Sequence, residues 1–359
     1  MDLRTHFDDF TRRDWRTTTD EGPLRVAMVG IGWWTLEKAM PAVEASELCT
    51  TTVAVSSSTE KAMGVVEEHE TVERGITYEA LDDGAATDAY DAVYICTPNS
   101  HHRSAVESAA RHGKAILCEK PMAATVKDAR AIVEAGEDAD VPLMIAYRMQ
   151  TEPAVRRARD LVSEGFVGDP ITVHGHMTQP LLEMNPDPHQ WRLDPDRSGG
   201  ATLNDLGIYP LNTARFVLDA DPVAVQSAMD ARQDAFADVP DEHVAFLVEF
   251  DNGAYASCSA SQGAARSSSL RVIGTEGELE IDPAFYPRQP RTLSLARGEV
   301  RASHDFDQID QMEEEFDYFA DRVLSGEPIH PDGRHGLVDM ETIEATYRAA
   351  EEGRRISLG

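Results

Sequence analysis

Residues 25–32, RVAMVGIG, join a short apolar run to a glycine-containing turn that leads into a helical pattern. Further apolar runs alternate with longer helical patterns up to residue 146: TTVAV (51–55), DAVYIC (91–96), KAILC (114–118) and LMIA (143–146). Short buried strands that alternate with helices build a parallel sheet covered on both faces. The sequence therefore predicts a doubly wound α/β domain over residues 24–150.

The pattern changes after residue 151, where the strands become longer and alternate between apolar and polar residues. HVAFLVEF (243–250) and AYASCSAS (254–261) are joined across Asn252-Gly253, which is a strong hairpin signal. Similar strands are ITVHGHMTQ (171–179), VAVQSAMDA (223–231), SSLRVIG (268–274) and RTLSLA (291–296). They predict a second α/β domain over residues 151–359, with a large, open, mostly antiparallel sheet and helices on one face.

The other face of this sheet is expected to be apolar and to need a cover. A second copy of the same sheet would supply it, so the sequence predicts a homo-oligomer, a dimer or a tetramer, formed through the C-terminal sheet. Residues 1–23 are interpreted as a short helical extension.

The charge of the chain excludes several kinds of partner. Its 359 residues contain 64 Asp and Glu against 33 Lys and Arg, which gives a formal net charge of −31. Such a protein repels phosphate, so we expect neither nucleic acid nor an anionic membrane surface as a partner. The acids are dispersed and lysine is scarce, which is typical of a protein that works in concentrated salt.

The cysteines and the N-terminus bear on the cellular compartment. Cys49, Cys96, Cys118 and Cys258 show no paired or metal-ligand spacing, so we interpret them as buried reduced thiols and expect no metal site. The N-terminus lacks an apolar signal core, and no run approaches the roughly 18 apolar residues of a membrane span. These features predict a cytoplasmic protein.

The turn after the first strand is a candidate dinucleotide site. Glycines there let the backbone approach a pyrophosphate, whose charge is met by the N-terminus of the following helix. Thr35 replaces the third glycine of the usual GxGxxG pattern, and the alternative interpretation is a plain tight turn. The adjacent tryptophans either wall the cofactor or pack against the neighbouring domain. The residues assigned to this site are Gly30, Ile31, Gly32, Trp33 and Trp34.

The end of the second strand indicates which dinucleotide binds. It offers Ser56, Ser57 and Ser58 with Lys61 one turn on, where NAD-preferring sites place a carboxylate. Hydroxyls and an ammonium can bind a 2′-phosphate, which favours NADP. The alternative is a solvated serine loop beside a surface lysine, and the nearby Glu60 supports that alternative.

Several motifs together carry a resemblance to a known family. They are GIG after the first strand, CTPNSHH (96–102), GKAILCEKP (113–121), AYR (146–148) and GGATLNDLGIYPLN (199–212). In nearly everything after residue 23 the chain resembles the glucose-fructose oxidoreductase and inositol dehydrogenase (Gfo/Idh/MocA) family. The resemblance implies a Rossmann domain, an α/β domain with an open sheet, and hydride exchange between a nicotinamide and a sugar or polyol.

The resemblance also implies roles for individual residues. The reactive lysine of the family corresponds to Lys120, its aspartate to Asp205 and its acid/base residue to Tyr209. The segment that the family places beside the cofactor contains Thr97, Pro98, Asn99 and His102, and Glu119 is assigned to the same site.

Within the family, the acidic, lysine-poor chain is similar to sugar dehydrogenases of extreme halophiles that oxidise D-xylose at C1 with NADP. The alternatives are a glucose, dihydrodiol or inositol dehydrogenase, or a sensor that binds NADP without catalysis.

The residues themselves support a catalytic interpretation. Lys120 precedes Pro121, which favours extended backbone and should direct the lysine from the carboxyl edge of the sheet into the ligand crevice. A phenol has a pKa of about 10, and a nearby cation lowers such a pKa by about 1 to 3 units. Lys120 is therefore the candidate cation that helps Tyr209 lose its proton. The alternative is a surface lysine at the end of a strand.

Asp205 and Tyr209 are four residues apart, so a helix would place both on one face. Pro210 predicts that the helix bends or restarts there. Asp205 either orients Lys120, binds a sugar hydroxyl, or merely caps the helix.

Five further residues are substrate-binding candidates. Tyr147 and Arg148 end the last parallel strand and either line the crevice or pack between domains. His189, Trp191 and Arg192 could form a polar and aromatic sugar wall, although Arg192 could equally pair with a surface acid.

Overall fold

The structure, a computed structural model, describes residues 3–8 and 10–359. Residues 1, 2 and 9 of the predicted extension lie outside the described residues. The chain divides into two compact units. The parallel-sheet unit comprises residues 14–148 and 312–337, and the open-sheet unit comprises residues up to 13, 149–311 and 338–359. Within the described ranges, none of the helices has the length and hydropathy that a membrane span requires.

The parallel-sheet unit contains six parallel strands in the order β3-β2-β1-β4-β5-β6. The strands are β1 (Leu24–Val29), β2 (Cys49–Ser56), β3 (Arg74–Thr77), β4 (Ala92–Ile95), β5 (Ala115–Glu119) and β6 (Leu143–Ala146). The helices are α1 (Met40–Ala45), α2 (Thr59–Glu68), α3 (Tyr78–Asp82), α4 (His102–Arg111) and α5 (Val126–Asp138). The strand order reverses between β1 and β4, and such a switch point opens a ligand crevice at the carboxyl ends of the strands.

The five predicted parallel strands are confirmed, and β3 is an additional one. Its sequence RGIT has no fully buried residue, so it carries no apolar run that would have predicted it.

The open-sheet unit contains nine strands in the order β14-β13-β12-β11-β7-β10-β9-β8-β15. The strands are β7 (Pro170–Pro180), β8 (Pro222–Asp230), β9 (His243–Phe250), β10 (Tyr255–Ser261), β11 (Gly263–Gly274), β12 (Glu278–Asp282), β13 (Arg291–Arg297), β14 (Val300–Phe306) and β15 (Ile356–Ser357). Its helices are α6 (Pro153–Ser163), α7 (Leu181–Met184), α8 (Pro195–Ser198) and α9 (Ile208–Leu218). The mostly antiparallel sheet is confirmed, with β7 and β10 as a parallel pair.

Two features of this sheet bear on the predictions. The hairpin at Asn252-Gly253 is confirmed, since β9 and β10 pair antiparallel and Gly253 has φ +86°. The expectation of an apolar second face is wrong. That face carries mostly polar side chains such as His174, Ser257 and Arg271, with a few apolar ones such as Leu247, because most apolar residues of the strands point to the face that the helices cover.

Two long helices follow, α10 (Gln311–Ser325) and α11 (Gly333–Glu352). From Met312 onward, α10 belongs to the parallel-sheet unit, which corrects the assignment of all residues after 150 to one domain. Met312, Phe316 and Phe319 form one apolar face of α10 and are buried in the core of that unit, where Phe316 lies 5.1 Å from the ring of Tyr94.

The N-terminal extension is helical over a single 3₁₀ turn, Leu3–Phe7. Phe7 stacks on His304 with ring centroids 5.2 Å apart, and Phe10 packs against Phe306 at 5.8 Å. The main-chain oxygen of His6 accepts a hydrogen bond of 2.7 Å from Arg157 Nε. The extension therefore covers the edge strand β14 of the open sheet, where unpaired main-chain groups would otherwise be exposed.

Candidate active site

The turn after β1 has the geometry that a bound pyrophosphate needs. Gly30 has φ +94°, and a Cβ there would lie 2.4 Å from the main-chain oxygen of Cys96. A Cβ on Gly32 would meet nothing within 4 Å, so the space beside it is open. Thr35 is buried, and its hydroxyl donates to the oxygen of Gly30 at 2.6 Å, which holds the turn without a third glycine. The turn fits a dinucleotide.

The two tryptophans of the turn differ in environment. Trp33 is 66% exposed, and Lys38 Nζ lies 5.2 Å from its ring centroid. Trp34 is half-buried and packs against the core of its own unit. Trp33 is therefore the one of the two that can meet a ligand directly.

Of the four polar residues predicted to bind the cofactor at the end of β2, two have exposed side chains that make no capping bond. Ser56 is buried, and Ser58 caps α2 by accepting a hydrogen bond of 3.2 Å from the main-chain N–H of Lys61. The side chains of Ser57 and Lys61 are exposed. These two groups are the best placed for a 2′-phosphate.

The segment after β4 is supported by a buried histidine. His102 is 1% exposed; its Nε2 lies 2.9 Å from the oxygen of Thr97 and its Nδ1 lies 3.1 Å from the oxygen of Pro121. Burial lowers the pKa of His102 to about 4, so the ring is neutral and can donate to one of these oxygens. His102 therefore ties the segment of Thr97, Pro98 and Asn99 to the one that follows Lys120, and its ring nitrogens are directed at protein groups.

Lys120 directly follows β5, so it lies at the carboxyl edge of the sheet, as expected. Its N–H donates to Glu119 Oε2 at 3.1 Å, and Tyr94 Oη donates to Glu119 Oε1 at 2.7 Å. Burial raises the pKa of Glu119, and the charge of Lys120 opposes that rise. The Lys120–Pro121 peptide is cis.

The end of β6 places Tyr147 and Arg148 at the same edge, and both are buried. The ring of Tyr147 lies 5.8 Å from that of His335, which in turn lies 4.8 Å from His330. The segment with these histidines adjoins β6, since the N–H of Ile145 donates to the oxygen of Pro331. Nothing in the local sequence marks these histidines, because about 180 residues separate them from β6.

Three of the four cysteine thiols are buried as predicted, and the fourth is only half-buried. Cys49, Cys118 and Cys258 are buried, and burial raises the pKa of Cys258 to about 12. Cys96 is only half-buried, because it follows β4 at the open carboxyl edge of the sheet. Across residues 3–8 and 10–359, no group of three or more His, Cys, Asp or Glu side chains is arranged to hold a metal ion.

In the open-sheet unit, Asp205 and Tyr209 lie on either side of a change in helix type. A π-helical turn over Leu203–Gly207 runs directly into α9, and the N–H of Ile208 donates to the oxygen of Leu203. Regular α-helix thus restarts just before Pro210, which occupies the first turn of α9, where a missing N–H is tolerated. The ring of Tyr209 lies 6.1 Å from that of Phe285.

Asp205 has neighbours that fix its carboxylate. Gln262 Nε2 donates to Asp205 Oδ2 at 2.9 Å, and Arg192 Nε lies 3.4 Å from the same oxygen. The guanidinium of Arg192 lies 4.7 Å from the ring centroid of Trp191. Of the predicted sugar wall, Arg192 therefore lies beside Asp205 and packs on Trp191, while His189 is exposed on the preceding loop.

Asp241, which the sequence did not indicate, holds the same turn through hydrogen bonds with its main chain. It is fully buried and accepts hydrogen bonds from the N–H groups of Ala201 and Leu203 and from Tyr347 Oη. A Cβ on Gly200 would lie 2.0 Å from that same Tyr347 oxygen, which explains the glycine of this motif. Neither Gln262 nor Asp241 adjoins the motif in sequence, so only the folded chain reveals them.

Comparison with known proteins agrees with this geometry. Residues 24–147 match the oxidoreductase family with an NAD-binding Rossmann fold, and residues 155–280 match the GFO/IDH/MocA C-terminal domain. The D-xylose 1-dehydrogenase (NADP(+)) of Haloarcula marismortui is 56% identical over 350 residues, which cover 97% of each chain. The D-xylose 1-dehydrogenase (NADP(+)) 2 of Haloferax volcanii is 32% identical over 94% of this chain and 99% of its own.

A solved structure shows the same fold. The aldose-aldose oxidoreductase from Caulobacter crescentus, complexed with glycerol, superposes with a TM-score of 0.87 and 34% identity, covering 94% of this chain and all of its own. The chain therefore belongs to the GFO/IDH/MocA oxidoreductase family.

Proposed function

We propose that this protein is an NADP-dependent D-xylose 1-dehydrogenase that oxidises the C1 hydroxyl of the sugar to D-xylonolactone. The observation that carries the proposal is 56% identity over nearly the whole chain to a D-xylose 1-dehydrogenase that uses NADP(+). The open phosphate turn beside Gly32 supports the same cofactor class.

Each residue of the candidate site has its own role in the reaction. Tyr209 acts as the phenolate, which the positive charge of Lys120 stabilises, and its Oη accepts the proton of the C1 hydroxyl. Asp205, oriented by Gln262, binds a sugar hydroxyl and fixes the position of C1. Trp191 and Arg192 form one wall for the sugar. NADP, when bound, supplies the acceptor for the hydride that leaves C1.

The cofactor contacts follow from the parallel-sheet unit. The turn at Gly30, Ile31 and Gly32 holds the pyrophosphate, and Ser57 and Lys61 bind the 2′-phosphate. Thr97, Pro98 and Asn99 contribute the opposite wall of the cofactor site.

The direct test follows nicotinamide reduction in concentrated salt, with NADP and NAD each crossed against D-xylose, glucose, arabinose and inositol. We expect the highest kcat/KM with D-xylose and NADP. A different preferred sugar would assign the chain to another dehydrogenase of the family. Tight NADP binding without turnover of any sugar would instead identify a sensor.

The assignment of the base is tested with Tyr209→Phe, which removes the hydroxyl and keeps the ring. We expect kcat to fall about 10²- to 10⁴-fold while the Kd for NADP stays unchanged, since the phenol acts on the sugar. Unchanged kcat in this variant would exclude Tyr209 as the base.

We also propose that copies of the chain assemble through the uncovered face of the open sheet in the cytoplasm. Around β9 and β10 that face carries small side chains such as Ala245 and Ser257, which leave room for a second sheet. Light scattering in concentrated salt should give a dimer or tetramer, and Ala245→Arg should shift it towards monomer. A monomeric wild type would contradict this assembly.

A further inference from the structure

The helix that begins beside Tyr209 is tied to a buried carboxylate. Asp339 is 0% exposed and lies on the part of α11 that belongs to the open-sheet unit. Asn212 Nδ2 donates to its Oδ2 at 2.8 Å, and Arg215 Nη1 donates to its Oδ1 at 2.7 Å. Both donors are on α9 and are buried. A buried charge without its partner is costly, so these two bonds fix α9 against α11.

The side-chain amide of Asn212 joins this ion pair to a second segment. Its Oδ1 accepts a hydrogen bond of 3.0 Å from Gln150 Nε2, while its Nδ2 donates to Asp339. Gln150 is 4% exposed and ends the 3₁₀ turn Arg148–Gln150, which directly follows Tyr147. One amide therefore connects α9 both to α11 and to the segment that carries two of the predicted substrate residues.

The first turn of α9 is where its position matters for the reaction. A Cβ on Gly175 of β7 would lie 2.7 Å from the Cβ of Pro210, so the helix approaches its sheet closely next to Tyr209. Tyr209 and Asn212 are three residues apart and share one side of the helix. A rotation of α9 about its axis would thus break the bonds of Asn212 and displace the Tyr209 hydroxyl together.

We propose that Asn212 and Asp339 are positioning residues, which hold the hydroxyl of Tyr209 at the place where it meets the sugar. They act through the rotation of α9, and Gln150 and Arg215 keep the pair in place. The inference rests on the proposed function, in which Tyr209 takes the proton of the C1 hydroxyl. A displacement of about 1 Å at the reacting atoms costs about 10²-fold in rate, so loss of these bonds should lower kcat.

The test compares the full-length wild type with Asn212→Ala, in concentrated salt, with NADP and the sugar that the wild type turns over best. We expect kcat to fall about 10- to 100-fold, while the Kd for NADP stays unchanged. In a Tyr209→Phe background the same substitution should cost little further, because the hydroxyl that it displaces is already gone. Equal losses in both backgrounds would overturn the proposal.

An exchange of the two side chains provides a second measurement, which does not depend on the folding of the alanine variant. Asn212→Asp alone places two buried carboxylates together and should lower kcat. Adding Asp339→Asn restores a donor and an acceptor with the original net charge, so kcat should recover at least tenfold over Asn212→Asp. A folded double variant without this recovery would contradict the proposal.

Thr346→Val is the matched control for loss of stability. It removes a buried hydroxyl from α11 that donates to the oxygen of Thr342 at 2.7 Å. We expect a lower Tm with unchanged kcat, and a fall in kcat as large as that of Asn212→Ala would show general loosening and overturn the inference. Failure of the proposed function would instead appear as a wild type without sugar turnover, or as unchanged kcat in Tyr209→Phe.

Discussion

Asp241 is a buried carboxyl hydrogen-bonded to the turn that carries Asp205, and its burial favours the neutral form. Burial raises its pKa to about 6, although the three hydrogen bonds that it accepts oppose the rise. An unfolded aspartate has a pKa of about 3.9, so between about pH 4 and 6 the folded chain holds a proton that the unfolded chain has lost. The contribution of Asp241 to stability is therefore greatest at low pH and is lost as the pH rises through 6.

This predicts a pH-dependent difference between the wild type and Asp241→Asn, which cannot titrate. From pH 5 to pH 7 the free energy of unfolding of wild type should fall by about 1 to 2 kcal/mol relative to the variant. Urea titrations of both proteins at the two pH values, in the same concentrated salt, measure it. All other acids contribute equally to both proteins, so parallel pH profiles would show that Asp241 is ionised throughout.

Lys61 is the residue on which the preference for NADP over NAD should depend. Its side chain is exposed and follows the end of β2, where the ribose of a bound dinucleotide lies in doubly wound folds. Lys61→Ala should weaken NADP binding about tenfold, since a hydrogen bond to a charged group contributes about 1.5 kcal/mol or more. NAD binding should stay unchanged. Equal loss for both dinucleotides would place Lys61 outside the 2′-phosphate site.

How far the sequence predicts the site depends on where each residue's partner lies in the chain. Lys120 and Asp205 belong to short contiguous motifs, and the resemblance assigned them directly. Gln262 donates to Asp205 from a distant strand edge, and nothing in its local sequence marks it. His102 was found by its motif, but its two carbonyl neighbours, which indicate a supporting role, are visible only in the structure.

At the scale of elements, the two glycines of the turn after β1 have separate roles, Gly30 in stability and Gly32 in cofactor binding. Gly30→Ala would force a left-handed φ on alanine and press its Cβ against Cys96, so we expect a loss of about 2 kcal/mol or more of stability. Gly32→Ala meets no protein atom within 4 Å and should melt near the wild-type temperature. Its Cβ instead enters the space for the pyrophosphate, so NADP affinity should fall at least tenfold.

Thermal melts and NADP titrations of the two variants test this contrast. Normal NADP affinity in a fully folded Gly32→Ala protein would place the pyrophosphate away from this turn.

The sequence predicts the elements that have a strong periodic pattern. It does not predict those whose place depends on pairing or packing with neighbouring elements. The apolar runs of β1 and β5 are buried strands, and Asn252-Gly253 forms its hairpin. By contrast, β3 is short and partly exposed, and it is held by pairing with β2. The apolar face of α10 shows that this helix must be buried, but its sequence does not say against which of two sheets.

At the scale of the whole molecule, the dispersed negative charge acts on every anionic ligand. A net charge of −31 repels the anionic NADP, and this repulsion is strongest where few salt ions screen it. The Debye length falls from about 10 Å at 0.1 M salt to about 3 Å at 1 M, so this long-range repulsion nearly disappears at high salt. The contacts at the phosphate turn act over hydrogen-bond distances and are screened much less.

We therefore expect NADP to bind more tightly as KCl rises from about 0.3 to 3 M, which is opposite to the usual effect of salt on phosphate binding. NAD is a matched control, since it lacks the 2′-phosphate and should gain less affinity over the same range. Isothermal titration calorimetry with both dinucleotides measures the two slopes, and circular dichroism at each salt concentration confirms that the chain stays folded. An NADP affinity that falls with salt would mean that local ion pairs such as that with Lys61 outweigh the field of the surface carboxylates.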